Sequence, residues 1–282
     1  MGKLMSWTML FIITSFGYVT CIDGIHPTSS ECLPAQNSSM DTIYKSNRRT
    51  LLDSLAKNVP LQNGFFNTSV GNGSDRVYGL AWCRADVSPK TCGKCLNDTI
   101  TASLTSCPES KSLVTYLSLC SLGFSNDSFF GELWDSSSSS SNGGDNFDDP
   151  LVFSKGFSMM QSLIGNVSSQ PLMFEMGVVD VGSDGKRYGL GQCRRDISKL
   201  DCEKCLEDLL TTYNKFVLNQ TWWDMRAMSC GLWYDHVRFY QDDFRENRDD
   251  SEVSNPIPSG GEKWYKGDMT LVFVAFLVLH WI

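Results

Sequence analysis

Cysteine is the residue type in this chain whose spacing could do chemistry. The arrangement Cys-x8-Cys-x2-Cys occurs twice, as Cys83, Cys92 and Cys95 and again as Cys193, Cys202 and Cys205. A Cys-x-x-Cys pair could act as a redox dithiol, and two such pairs could bind zinc. However, 106 residues separate the two pairs, far more than in a zinc ribbon. A redox role also leaves unexplained the additional cysteine nine residues upstream of each pair, Cys83 and Cys193. We therefore expect structural disulfides.

Other catalytic chemistry has little support in the sequence. The expected mature chain retains two histidines, His26 and His236, at distant positions. Neither a metal cluster nor a Ser/His/Asp arrangement can be assembled from them. We expect a protein without enzymatic activity, metal or cofactor.

Composition indicates a globular protein of two domains. The chain has 282 residues, of which 41% are hydrophobic and 20% are charged, enough for two independent cores. The net charge of −8, without a cluster of Lys and Arg, excludes nucleic acid as a partner.

An internal duplication explains both domains. Residues 78–98 and 188–208 match without gaps at 12 of 21 positions, and the same offset of 188 − 78 = 110 places Cys120 on Cys230. Such a match indicates a tandem repeat. We expect repeat 1 over 26–131, a Ser/Gly/Asp-rich disordered linker over 132–149, and repeat 2 over 150–243.

Within each repeat the pattern favours an α+β fold. Helices are expected over 43–59 and 89–105, with a weaker one over 157–164 and another that starts at Ser198. Strands are expected over 77–83, 114–124 and 231–240. Because helices and strands do not alternate strictly, an antiparallel sheet fits better than a parallel one.

Processing signals indicate the secretory route. Residues 1–21 have the layout of a signal peptide, and cleavage after Gly17 fits as well as cleavage after Cys21. Parity favours the second site, because the removal of Cys21 reduces eleven cysteines to ten, an even number. Seven Asn-x-Ser/Thr sequons fit passage through the secretory lumen. They begin at Asn37, Asn67, Asn72, Asn97, Asn126, Asn166 and Asn219.

The C-terminal region predicts a lipid anchor. Residues 244–259 are interpreted as a stalk, with Ser259 as the attachment site, and 260–282 as a propeptide; Asn255 or Ser254 is the alternative attachment site. Its apolar stretch from Met269 to Ile282 would extend about 21 Å as a helix, less than the ~30 Å of a bilayer core. A tilted single-pass helix is the alternative.

The repeated motif resembles a known plant family. Tyr-Gly-Leu-x-x-Cys-Arg-x-Asp-x-Ser followed by Lys-Cys-Leu, together with Gly64-Phe65-Phe66-Asn67 and Cys107-Pro108, is similar to the ginkbilobin-2-homologous domain. This is the extracellular repeat of cysteine-rich receptor-like kinases, cysteine-rich repeat secretory proteins and plasmodesmata-located proteins. The resemblance covers residues 26–243 and implies, for each repeat, an antiparallel sheet packed with two helices.

The resemblance also implies a disulfide pattern. The pairs are Cys83–Cys92, Cys95–Cys120 and Cys32–Cys107 in repeat 1, with Cys193–Cys202 and Cys205–Cys230 in repeat 2. At the 110 offset, Asn142 and Val217 stand where Cys32 and Cys107 would be. Both partners of one bridge are thus missing together, so repeat 2 should be the less stable unit.

Two residue groups could bind a ligand. Arg84/Asp86 and Arg194/Asp196 recur at i and i+2; we interpret them as structural ion pairs or helix caps, with a ligand cleft as the alternative. The aromatic residues Trp222, Trp223, Trp233 and Tyr234 could stack on a sugar or pack in a core.

The family resemblance adds one candidate ligand residue. The founding member of the family binds mannose through Asn, Arg and Glu, the Glu lying five residues after the last cysteine. Ser125 and Asp235 occupy that position here, which makes Asp235 the candidate.

The function expected from the sequence is binding or signalling at the extracellular face of the plant plasma membrane. The partner would be a cell-wall glycan or a protein, with the membrane reached through the lipid anchor. Two alternatives remain, a freely secreted lectin-like antifungal protein and a plasmodesmata-associated regulator.

The anchor prediction can be tested directly. Phosphatidylinositol-specific phospholipase C should release the protein from membranes, because the lipid would be its only attachment to the bilayer. The C-terminal peptide of the released protein should end near Ser259. Recovery of Trp281-Ile282 in the membrane-bound protein would favour the spanning helix instead.

Overall fold

A computed structural model describes residues 29–33, 41–134, 138–216 and 219–240, which form two copies of one α+β unit. Repeat 1 contains β1 (Ser29–Cys32), α1 (Thr42–Asn58), β2 (Phe65–Val70), β3 (Val77–Cys83), α2 (Pro89–Ser106), β4 (Leu113–Leu117) and β5 (Cys120–Ser125). Repeat 2 contains β6 (Ser139–Asn146), α3 (Pro150–Val167), β7 (Phe174–Asp180), β8 (Lys186–Cys193), α4 (Lys199–Phe216), β9 (Gln220–Arg226) and β10 (Cys230–Asp235).

Each repeat has one five-stranded antiparallel sheet. The strand orders are β1-β4-β5-β3-β2 and β6-β9-β10-β8-β7, which is the same topology at the level of each repeat. The two helices of a repeat cover one face of its sheet and enclose its apolar core. The predicted fold class is therefore confirmed.

Local signals in the sequence begin the helices. The side chains of Asp41, Ser88 and Asp149 accept backbone N–H groups at the starts of α1, α2 and α3. Pro89 and Pro150 occupy first-turn positions where no N–H is needed. With these caps α1 begins at 42 and α2 at 89, within one residue of the predicted starts at 43 and 89. By contrast, α3 begins at 150, seven residues before its predicted start at 157.

The segment predicted as a disordered linker is partly a strand. Residues 139–146 form β6, which pairs with β9 and occupies the position that β1 has in repeat 1. The prediction was wrong here because backbone hydrogen bonds to a neighbouring strand do not require apolar side chains. Glycine is needed where β6 crosses Trp222, since a Cβ on Gly143 would lie 2.8 Å from that indole.

Two predicted strands also differ from the structure. The stretch 114–124 is a hairpin of β4 and β5 rather than one strand, and the strand predicted over 231–240 ends at Asp235. In the first case a turn at Ser118-Leu119 contains no Gly or Pro, so the sequence lacks the usual turn signal.

Among the residues that the structure describes, five disulfides connect the helices to the sheets. Their pairs are Cys32–Cys107, Cys83–Cys92, Cys95–Cys120, Cys193–Cys202 and Cys205–Cys230, the same pairs that the resemblance implies. Cys32–Cys107 connects β1 to the end of α2, whereas β6 holds the equivalent place through backbone pairing and side-chain hydrogen bonds with β9, without a disulfide.

No helix in the described ranges is both long and apolar enough to cross a membrane. The expected signal peptide, the sequon at Asn37, the stalk, Ser259 and the C-terminal propeptide lie outside the described residues.

The Cys32–Cys107 bridge should contribute stability without defining the fold. Its two cysteines are 75 residues apart, so replacing both by alanine should lower the free energy of unfolding by about 4 kcal/mol. The matched change at Cys83 and Cys92, 9 residues apart, should cost only about 2–3 kcal/mol. Urea unfolding measures both, and an unfolded Cys32/Cys107 variant would contradict the independence of the fold from this bridge.

Candidate functional site

The two repeats meet through the sheet faces that their helices leave uncovered. The Trp82 indole N–H donates to the backbone carbonyl of Met228 at 3.0 Å, and that of Trp233 donates to the carbonyl of Ser118 at 3.2 Å. Since 118 + 110 = 228, the two acceptors are equivalent positions of the duplication. The two indole rings meet edge to face, 6.4 Å apart.

A glutamine completes the junction. Gln192 stands where repeat 1 has Trp82, and its side chain is buried. It donates to the carbonyl of Cys83 at 3.0 Å and accepts the backbone N–H of Ala85 at 2.8 Å. These paired bonds fix the end of β3 against β8.

Arg84 connects repeat 1 to the segment that follows β10. Its guanidinium binds Asp86 in a bidentate manner, at 2.6 and 2.8 Å, and donates to the carbonyl of Phe239 at 3.3 Å. The guanidinium carbon also lies 5.1 Å from the centre of the Phe239 ring, within cation–π range.

Arg194 makes the reciprocal connection from repeat 2. It pairs with Asp196 at 2.9 Å and donates to the carbonyls of Phe129 and Glu132 in the segment that follows β5. Its side chain is fully buried, and burial lowers the pKa of Arg194, an effect that Asp196 opposes. Because 84 + 110 = 194 and 129 + 110 = 239, the two contacts are related by the duplication.

We call these two contacts the reciprocal arginine ties. They support the structural interpretation of both Arg/Asp pairs over a purely ligand-binding one. The sequence showed the repeated Arg and Asp, but not their partners, because Phe129 and Phe239 lie outside the conspicuous motif. The 110 offset applied to the flanking residues could have found them.

A cleft of about 150 Å³ lies at this junction. It brings together Arg84, Trp222, Trp233 and Asp235, all of which the sequence singled out. Trp223 and Tyr234 also reach the cleft, but they belong mainly to the core, where Trp223 stacks between Tyr213 at 4.1 Å and Tyr234 at 5.4 Å. The alternative of core packing thus holds for Trp223 and Tyr234.

Asp235 provides a carboxylate at the cleft. One of its oxygens accepts the backbone N–H of Val237 at 2.9 Å and lies 3.0 Å from Nδ1 of His236, and its side chain is 27% exposed. Burial raises the pKa of Asp235, and the Val237 N–H and His236 oppose that rise.

Repeat 1 has no carboxylate at the equivalent place. Ser125 stands there, and its hydroxyl accepts the N–H of Asp127 at 3.1 Å, the same turn contact that Asp235 makes with Val237. The hydrogen bond of this turn is therefore present in both repeats, while the negative charge is specific to repeat 2.

A larger and more open groove of about 610 Å³ runs between α3 and the edge strand β7. Serines, Lys155, Glu175 and apolar side chains line it, without an aromatic residue. Apart from the sequon residue Asn166, it contains none of the residues singled out in the sequence. We therefore place the candidate site at the smaller cleft.

The remaining predicted sites lie apart from the cleft. Among the described sequons, five have an exposed asparagine and Asn67 is half-buried. The exposed ones are Asn72, Asn97, Asn126, Asn166 and Asn219. Within the described ranges no group of three or more His, Cys, Asp or Glu side chains could hold a metal ion.

Comparison with known proteins identifies the repeat. The profile of the family described as salt stress response/antifungal matches residues 30–127 and 139–237. The antimicrobial ginkbilobin-2-like protein of Castanea crenata is 32% identical over 74% of this chain and 86% of its own length. The cysteine-rich repeat secretory protein 38 of Arabidopsis thaliana is 30% identical over 60% of this chain and 68% of its own.

Receptor-like and structural relatives extend the comparison. The putative cysteine-rich receptor-like protein kinase 32 of Arabidopsis thaliana is 30% identical, and the match covers 75% of this chain but only 32% of the kinase. The crystal structure of the tandem DUF26 ectodomain of the Arabidopsis thaliana protein PDLP8 superposes with a TM-score of 0.60 at 24% identity. It covers 73% of this chain and 96% of the ectodomain, which shows the shared fold.

The reciprocal arginine ties should be needed for stability. Arg194→Ala removes the fully buried guanidinium that pairs with the largely buried Asp196 and donates to Phe129 and Glu132, so we expect the free energy of unfolding to fall by about 3–5 kcal/mol. Arg49→Ala, at an exposed position on α1, is the matched control and should change it by less than about 0.5 kcal/mol. Chemical unfolding measures both, and a loss below about 1 kcal/mol for Arg194→Ala would contradict the role assigned to the ties.

Proposed function

The chain belongs to the salt stress response/antifungal family, and we propose that it is a non-enzymatic extracellular binding module, tethered at the plant cell surface. Its ligand is a cell-wall glycan or a glycan-bearing protein, which binds in the junction cleft. The family's occurrence in receptor-like and antimicrobial proteins supports an extracellular recognition role.

The observation that carries this proposal is the convergence of two indoles, a guanidinium and a carboxylate at one cleft. Trp222 and Trp233 supply apolar faces, while Arg84 and Asp235 supply opposite charges. Sugars need this combination, because their C–H faces pack on aromatic rings and their hydroxyls bond to charged groups. A cleft of this size fits one sugar ring rather than a long chain.

The chemistry of Asp235 also favours a role in binding. Because the pKa of Asp235 is raised in the folded state, its protonated form stabilises the fold relative to the unfolded chain. This contribution is complete at pH values below the unfolded pKa and is lost as the pH rises through the folded pKa. The ionised carboxylate therefore lowers stability at neutral pH. A charge kept at such a cost is typical of a functional position.

A second candidate function is that of a freely secreted antimicrobial lectin. The 32% identity to the antimicrobial protein of Castanea crenata, over most of both chains, favours it. It would use the same cleft, so the two candidates differ in localisation and in action on fungal cells rather than in the binding residues.

The cleft can be tested by removing one charge. Asp235→Asn should weaken glycan binding by about 10- to 100-fold, since a hydrogen bond to a charged group contributes roughly 1.5–3 kcal/mol. Ser125→Ala, at the duplicated position in repeat 1, should leave binding unchanged. A glycan array followed by calorimetry on the hits measures this, and thermal unfolding should show that Asp235→Asn is at least as stable as the native chain.

The pH dependence and the biological assay complete the test. Glycan binding should weaken on acidification at a pH above the ordinary range of an aspartate, because the raised pKa of Asp235 means that its carboxylate is protonated at a higher pH.

Inhibition of fungal growth that disappears with Asp235→Asn would favour the antimicrobial candidate. Equal glycan binding by the native chain and the Asp235→Asn variant would overturn the assignment of the cleft.

A further inference from the structure

The sequon Asn97-Asp98-Thr99 lies in the middle of α2, where its two reactive residues face opposite ways. The Asn97 side chain is exposed, whereas Thr99 is fully buried. Residues two apart on a helix do not face each other, so one enzyme cannot reach both in the folded chain. Recognition of an Asn-x-Ser/Thr sequon needs the asparagine and the hydroxyl together.

The Thr99 hydroxyl is engaged at the Cys95–Cys120 disulfide. It donates to the carbonyl of Cys95 at 2.7 Å and lies 3.0 Å from the sulfur of Cys120. The bridge itself ties α2 to β5 two residues before the sequon. Closing it therefore fixes the helix over the sheet with the hydroxyl inside.

We infer that Asn97 is an N-glycosylation site that can be modified only before the Cys95–Cys120 bridge closes, so that sugar transfer and disulfide formation compete for this segment. The sugar remains compatible with the finished fold, because the Asn97 side chain points to solvent. The expected result is a mixture of chains with and without a glycan on α2. This inference rests on the extracellular route of the proposed function.

The reaction is a transfer of an oligosaccharide from a polyprenyl pyrophosphate donor. A bond forms between the amide nitrogen of Asn97 and the anomeric carbon of the sugar, while the bond from that carbon to the pyrophosphate oxygen breaks. The amide nitrogen loses one proton, and the polyprenyl pyrophosphate is the leaving group. No oxidant is needed for this step. The competing closure of the bridge oxidises the two thiols by exchange with a protein disulfide of the secretory compartment, which accepts the two electrons and two protons and is reduced to a dithiol.

The chain contains two internal controls. The sequon at Asn126 has all three residues exposed, so its modification should not depend on folding. Repeat 2 has the equivalent bridge, Cys205–Cys230, but Glu207 stands where Asn97 would be. Opening that bridge loosens a matched helix without touching the Asn97 segment.

The test is the site occupancy of the full chain expressed in a secreting plant cell. Peptides from cell-associated and secreted protein together are treated with a deglycosidase and analysed by mass spectrometry, so a variant that is retained in the cell still counts. In the native chain Asn97 should be partly occupied and Asn126 nearly fully. In the Cys95→Ser/Cys120→Ser variant Asn97 occupancy should rise to match Asn126, while in Cys205→Ser/Cys230→Ser it should stay at the native level.

Several results would overturn the inference. Full occupancy of Asn97 in the native chain would show that the bridge does not compete, and an equal rise in both bridge variants would indicate general misfolding instead. Absence of sugar from Asn97 in every variant, with Asn126 occupied, would show that the site is not used. Absence of sugar from Asn126 as well would mean that the chain does not follow the extracellular route, which is a failure of the proposed function.

Discussion

The arrangement of this protein depends on two buried arginines that each bind the other repeat's C-terminal segment. Arg84 holds the carbonyl of Phe239, and Arg194 holds that of Phe129. An interface in which equivalent residues make equivalent contacts is that of a two-fold homodimer. Here both halves belong to one chain, so the contacts form at the high effective concentration that a short connection provides.

The candidate cleft lies where the two halves have diverged from each other. Of the residues that line it, Trp233 has Gly123 as its counterpart in repeat 1, and Asp235 has Ser125. A strictly symmetric pair would have two equal clefts or none. The substitutions concentrate aromatic surface and charge on one side of the junction, while the reciprocal ties preserve the shared frame. Duplication has thus kept the arginine contacts in both repeats, while the residues around them differ.

Much of the fold could be predicted from local signals. The repeated cysteines, the capping residues Ser88 and Ser198, and the Tyr-Gly-Leu strands identified the helices, the central strands and the class. The edge strand β6 could not be predicted, because Ser, Asn and Gly are poor strand formers and are held there only by a neighbour distant in sequence. Part of the candidate site could be predicted, since the sequence singled out Asp235 and the tryptophans. Their position next to Arg84 could not, because it depends on the packing of the two repeats, which no local pattern encodes.

The contacts of the segment that follows β10 have a mechanical consequence. Beyond β10, Tyr240 donates its hydroxyl to the carbonyl of Gly177 on the edge strand of repeat 2, and Phe239 is held by Arg84 of repeat 1. Tension applied to the polypeptide after Tyr240 therefore reaches both repeats at once instead of peeling β10 from its sheet. The load is shared between the hydrogen bond of Tyr240 to β7 and the contact of Phe239 with Arg84. Arg84 follows Cys83, which a disulfide connects to α2. A module fixed in this manner transmits force as one body, with its cleft beside the point where the load enters.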